Sequence, residues 1–195
     1  MYKRQVHAAG IYEGPNRECC SDYVVSSYTP TLTALTQARM GHSTFALQRI
    51  KVLAVAAEHT HDSNMPRLRN AVPETRAVID IATRAGTESS VGADKATKEE
   101  VLESMNSSQV VHLACHGIQH HQEPHKSRFC LSTGDLTVSE LMQMDLKGVF
   151  LAYLSACETA RGASKHADEA VHLAATMLFA GFRSCLLYTS PSPRD

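Results

Sequence analysis

Apolar, β-branched and aromatic runs alternate along the chain with polar stretches that carry helical spacing. Ile50 to Ala56, Val110 to Gly117 and Val149 to Cys157 are the strongest runs, and they read as buried strands of a parallel sheet, whose two covered faces leave no polar alternation. Asp22 to Tyr28 and Arg128 to Leu131 read as further strands, Ser89 to Val91 as a short one, and Phe182-Arg183-Ser184 as the start of a last one. Five helices are predicted between them. The first runs from Thr29-Pro30 to Arg39 before Gly41. A second, Pro73 to Ala85, sets Val72, Ala77, Ile79, Ile81 and Ala82 among charges and closes at Gly86. Thr97-Lys98-Glu99-Glu100 and Thr137-Val138-Ser139-Glu140 are capping boxes that open helices to about Asn106 and Met144. Asp168 to Gly181 has acidic residues at its positive end and is expected to bury Val171, Ala174, Ala175, Met177, Leu178 and Phe179. Strands alternating with helices specify an α/β sandwich on a mostly parallel sheet.

The 195 residues make one domain the default. A net charge of -1 and a pI near 6.8 give no basic footprint for nucleic acid or an anionic membrane. Without an apolar run of membrane-spanning length or a secretory leader pattern, the expectation is a soluble, cytoplasmic protein. Its six cysteines are then read as thiols, Cys19-Cys20 being adjacent and Cys115, Cys130 and Cys157 lying in or beside apolar segments. Both ends read as foreign. Residues 185–195 resemble the translation of a transposase adapter, and codons for Tyr2-Lys3-Arg4-Gln5 fit an inverted copy of it. The domain expected is therefore 6–184, with 1–5 and 185–195 set apart. On that reading the last strands are missing, an apolar edge is left uncovered, and the 195-residue chain itself is expected to lack activity.

The chemistry concentrates at two strand ends. His116 and Cys157 each follow an apolar run, and open α/β sheets place their sites at the carboxyl ends of strands. Either residue alone is unremarkable. As a pair they fit a thiol protease, with Cys157 attacking a scissile carbonyl and His116 supplying the proton to the leaving amine. The backbone N–H groups of Gly117 and Cys157 are the candidate oxyanion donors. His112, His120, His121 and His125 raise a zinc alternative, with Cys115 or Cys130 as a further ligand. In an extended run, however, His112 and His116 stand about 13 Å apart by rise, too far for one metal, and the others sit in a polar loop. No metal and no cofactor are expected.

His112-Leu113-Ala114-Cys115-His116-Gly117, Leu154-Ser155-Ala156-Cys157-Glu158-Thr159-Ala160 and Asp168-Glu169-Ala170-Val171-His172-Leu173-Ala174 resemble, in order, motifs of the CHAT domain, a branch of the caspase-like cysteine proteases. Ser26 to Leu32 and Ala180-Gly181-Phe182-Arg183 are similar to further segments of it. The resemblance implies a caspase-like three-layer sandwich with helices on both faces of the sheet. It also implies a His–Cys dyad at His116 and Cys157, endopeptidase action on a protein or peptide substrate, and helical repeats in the same full-length chain. Asp168 and Glu169 are candidates for a pocket that selects a basic side chain, with complement to the helix dipole as their structural alternative. The family continues past its Gly-Phe-Arg strand into a segment with a Trp-Ser-type motif, and this chain has no Trp. A non-catalytic CHAT-like scaffold is the alternative function.

Overall fold

The computed structural model describes residues 10–11, 18–19, 22–23, 31–40, 50–92, 96–120, 123–144, 146, 148–155 and 169–187. Strands β1 (Gly10–Ile11) and β2 (Glu18–Cys19) form a small antiparallel pair, followed by helix α1 (Leu32–Arg39). The core then builds through β3 (Lys51–Ala56), α2 (Ala71–Arg84), β4 (Glu88–Gly92), α3 (Lys98–Ser107) and β5 (Val110–Ala114). Three short strands come next, β6 (His116–Ile118), β7 (Arg128–Cys130) and β8 (Asp135–Thr137), with a 3-10 turn at Pro124–Lys126 between the first two. The chain closes with α4 (Val138–Gln143), β9 (Leu151–Leu154), α5 (Glu169–Phe179) and β10 (Ser184–Leu187).

Five strands make one all-parallel sheet in the order β10-β9-β5-β3-β4. Taken in sequence, the parallel strands run outward one way from β3 to β4, then cross back to β5 and continue to β9 and β10. The order therefore reverses between β3 and β5, which is where an open α/β sheet parts its connecting loops and leaves a crevice. Alternation along the central strands sends Leu53, Val55, Val111 and Leu113 to one face, where Val101, Met105, Leu141, Leu173 and Met177 of α3, α4 and α5 cover them. Ala56 and Ala114 turn to the other face and meet Ala71 of α2. Helices thus cover both faces, the mostly parallel three-layer α/β architecture that the sequence predicts.

Local chemistry accounts for the helix ends. Thr97 and Thr137 each accept the N–H of the glutamate three residues on, and each glutamate returns a bond to the threonine's own N–H, so both boxes form as predicted. Gly86 follows α2 at φ +74°, and Gly181 follows α5 at φ +109°, conformations that side chains disfavour. At Gly181 a Cβ would also stand 3.1 Å from the carbonyl oxygen of Leu146.

Five elements differ from the sequence reading. The run from Val110 to Gly117 is two strands, because the chain breaks at Cys115 and His116 starts a separate antiparallel ribbon, β6-β7-β8, instead of ending the parallel strand. Asp22 and Tyr23 lie in a helical turn, not a strand; the remainder of that stretch is outside the described residues. On α2 the buried positions are Ala71, Thr75 and Ala82, while Ile81 is 58% exposed, since the stripe steps from Ala71 by four and then by seven; on α5, Phe179 is 50% exposed and does not join the buried face. The last strand does not stop at Ser184. Cys185, Leu186 and Leu187 continue it and pair with Ala152, Tyr153 and Leu154 of β9, an apolar run being able to extend a ladder whatever its origin.

Candidate active site

Past the carboxyl ends of β3 and β5, where the strand order reverses, come the loop that leaves β3, residues 57–70, and the start of the ribbon. Several bonds fix that loop. Ala57 N–H donates to the Ala114 carbonyl at 2.9 Å, Leu68 N–H to the Glu58 carbonyl at 2.9 Å, and His61 N–H to the Leu131 carbonyl at 3.3 Å. Asp62 caps a turn by accepting from Asn64 N–H at 2.9 Å, and Arg67 Nε donates to Glu58 Oε1 at 2.7 Å. Held in this way, the loop presents the carbonyl oxygen of Pro66 to His116, 2.7 Å from Nε2. A carbonyl only accepts, so the proton of the neutral ring is on Nε2 and the acceptor nitrogen is Nδ1. His116 is buried, with 7% of its surface exposed.

Gly117 follows in β6, opposite Phe129. The ribbon turns Phe129 and Leu136 into the core, both fully buried, and sets His116, Cys130 and Asp135 across from one another on successive strands. Cys130 is a free thiol beside His116 in the ladder. Burial first and the neighbouring Asp135 charge second push it up to about 12, so it supplies almost no thiolate near neutral pH.

The strand that leads to Cys157 runs beside the one that leads to His116. β5 and β9 are parallel neighbours, and His112 lies opposite Tyr153, 41 residues on. His116 and Cys157 are separated by the same number of residues as this register offset. Past the last paired residues, Ser155 N–H still donates to the Leu113 carbonyl at 2.9 Å. Cys157 itself, with its oxyanion role, lies outside the described residues, as does Asp168; Glu169 is the first residue of α5.

Pro66 and Glu74 had no signal in the sequence reading, and Ser155 stood in a motif without a role of its own. Pro66 acts through a backbone carbonyl, which no side-chain pattern reveals. Glu74 and Ser155 meet from positions 81 apart in the chain, the Ser155 hydroxyl donating to Glu74 Oε1. His112, four residues before His116, has no exposed surface. It donates from Nδ1 to the Tyr153 carbonyl at 3.2 Å and stacks on the Tyr153 ring at 4.8 Å. Its Nε2 lies 3.6 Å from Glu74 Oε1. Burial lowers the His112 pKa, against the opposing pull of the Glu74 charge and the Tyr153 bond. Among the histidines of the polar loop, His120 accepts the Glu123 N–H through Nδ1 at 3.1 Å, and His121 is outside the described residues. No group of three or more metal-ligating side chains occurs among the described residues. No helix among them is long and apolar enough to cross a membrane.

Among solved structures, a crystal structure of a structural-genomics target protein from Geobacter sulfurreducens is similar at 19% identity and a TM-score of 0.44, covering 55% of this chain and 50% of that one. The chain thus spans about half the length of that relative. No curated protein matches it. The model of the CHAT domain matches residues 7–190, nearly the whole sequence. The chain belongs to the CHAT-domain family, a caspase-like, protease-related family.

Proposed function

We propose that the protein is a caspase-like cysteine endopeptidase in which Cys157 is the nucleophile and His116 its base. The observation that carries this reading is the 2.7 Å bond from His116 Nε2 to the Pro66 carbonyl, because it commits one ring nitrogen and leaves Nδ1 to exchange protons. Chain connectivity adds support, as Cys157 is two residues beyond Ser155 and two residues span at most about 7 Å. In the first step the thiol proton passes to Nδ1, the thiolate attacks the scissile carbonyl, and a C–S bond forms. The backbone N–H groups of Gly117 and Cys157 take the developing oxyanion. The C–N bond then breaks as the imidazolium returns its proton to the leaving amine. Water, deprotonated by the same nitrogen, attacks the thioester and releases the acid and the thiol.

In this reading the substrate is a protein or peptide, Asp168 and Glu169 favour a basic side chain in it, and the protein acts in the cytoplasm, where thiols stay reduced. Helical repeats elsewhere in the full-length protein would bring the substrate. The test is the rate of Cys157 alkylation by iodoacetamide as a function of pH, resolved by peptide mass spectrometry, in the parent and in His116→Ala. The expected result is a titration midpoint below that of an ordinary thiol, moved upward by His116→Ala. In a full-length protein His116→Ala should slow peptide hydrolysis at least about 100-fold. Equal midpoints in the two proteins would favour the scaffold reading.

A further inference from the structure

Glu74 stands in the first turn of α2, where a carboxylate ordinarily complements the helix dipole from the surface. Here it leans against the sheet, with 31% of its side chain still exposed. Its Oε1 accepts the hydroxyl proton of Ser155, the residue after β9, and lies 3.6 Å from Nε2 of His112 on β5, so one oxygen joins α2 to the ends of two neighbouring strands. His112 is fixed on its far side by the Tyr153 carbonyl and ring, and its buried Nε2 makes no hydrogen bond. Ser155 is fixed twice, through its N–H to the Leu113 carbonyl and through its hydroxyl to Glu74.

These contacts tie together the two halves of the candidate dyad. The loop that holds His116 through Pro66 runs directly into α2, and Ser155 is the last described residue before the segment that carries Cys157. A carboxylate accepting a hydroxyl proton is a charge-assisted bond, shorter and stronger than one between neutral groups. We propose that Glu74 is a positioning residue that, through the Ser155 hydroxyl, sets where the Cys157 segment leaves β9 relative to His116. This rests on the reading of Cys157 as the nucleophile. Neither Glu74 nor Ser155 exchanges a proton with the substrate. Their part is to keep the thiol within reach of Nδ1, since a displacement of about 1 Å is enough to slow a positioned reaction 100-fold.

The experiment follows Cys157 alkylation by iodoacetamide against pH in the 195-residue chain, with the melting temperature recorded for every variant. Glu74→Ala and Ser155→Ala should each slow alkylation at neutral pH about tenfold and raise the midpoint, and the double variant should add nothing, because both delete one bond. Glu74→Gln keeps an acceptor oxygen and should restore the rate to within about threefold of the parent. A purely structural Glu74 would lower the melting temperature and leave the midpoint in place, which overturns the proposal. Should Glu74→Ala fail to fold, Ser155→Ala decides, as it removes a single oxygen. His116→Ala separates the two levels of argument. An unmoved midpoint there ends the dyad reading and this inference with it. A midpoint moved by His116→Ala but by neither Glu74→Ala nor Ser155→Ala ends this inference alone.

Discussion

The two faces of the central sheet are built on opposite principles. Under α3, α4 and α5, branched and aromatic side chains close a continuous core in which Leu53, Leu113, Leu154, Met105, Met177 and Phe182 are almost wholly buried. Under α2 the buried apolar residues are mostly alanines, Ala54, Ala56, Ala71, Ala82 and Ala114, together with Val52, and Leu68 and Val72 lie at the margin. Small side chains let α2 approach the sheet, and beside them stand an imidazole, a carboxylate and a hydroxyl, those of His112, Glu74 and Ser155. Because neighbours on a strand point to opposite faces, His112 and Leu113 serve different ends one residue apart. One face contributes packing, and the other spends part of its burial on polar groups, among them His112, whose charge that burial opposes.

The largest expected effect breaks the packed face. Leu113→Ala removes a fully buried side chain from the larger core and should cost about 2–5 kcal/mol, read from urea unfolding. Ala114→Leu, one residue on, adds volume where Ala71 already touches and should cost about 1–3 kcal/mol through overpacking. If the alanine site tolerated leucine without loss, the close approach of α2 would be wrong.

The next effect is on pH dependence and belongs to the polar face. Burial holds His112 below its ordinary value of 6.5, despite Glu74 and the Tyr153 bond. Between the folded and unfolded values the unfolded chain binds the extra proton, so this contribution is complete above about pH 6.5 and is lost as the pH falls through the folded value. His112→Leu should flatten that acid limb in melting curves recorded from about pH 7.5 down to pH 5. An identical slope in parent and variant would mean that the imidazole is solvated.

How much of this was legible follows from the range over which each feature is determined. The capping boxes at Thr97 and Thr137 are four-residue patterns, satisfied within themselves, and they formed where the residues stand. The runs at Ile50 and Val110 announced buried strands because both faces are covered. The second strand of the ribbon, at Arg128, is legible as a strand, but the first reads as the end of the parallel strand, since three residues are too few to show alternation and nothing in Cys115 signals the break. The bond between His116 and Pro66 joins residues 50 apart through a backbone oxygen, so only the fold brings it into view.

A smaller effect sharpens the contrast from the packed side, where α4 is held by Glu140. Burial works against the charge of this carboxylate, but the bonds from Lys98 and from Thr137 outweigh it and keep the pKa below the usual 4.5. Thr137→Ala removes the hydroxyl that caps the helix and should cost about 1 kcal/mol at neutral pH. That stabilisation is present above about pH 4.5 and declines as the pH falls through the lowered value, so the gap between parent and variant should narrow in acid. It should not close, because the Glu140 N–H loses its acceptor at any pH.

The smallest effect tests where the polar face ends. Ile81 shares α2 with Ala82, and the sequence pattern assigned both to the buried stripe, yet Ile81 is 58% exposed while Ala82 is 7% exposed. One residue is a rotation of about 100° around a helix, enough to carry a side chain from the sheet to solvent. Ile81→Lys should therefore change stability by less than about 0.5 kcal/mol, since a lysine there displaces no packed neighbour. Ala82→Lys would have to bury an ammonium against the sheet or push the helix away, and it should be far more costly. Equal losses for the two substitutions in urea unfolding would return Ile81 to the buried stripe and rotate the face that α2 presents to His112.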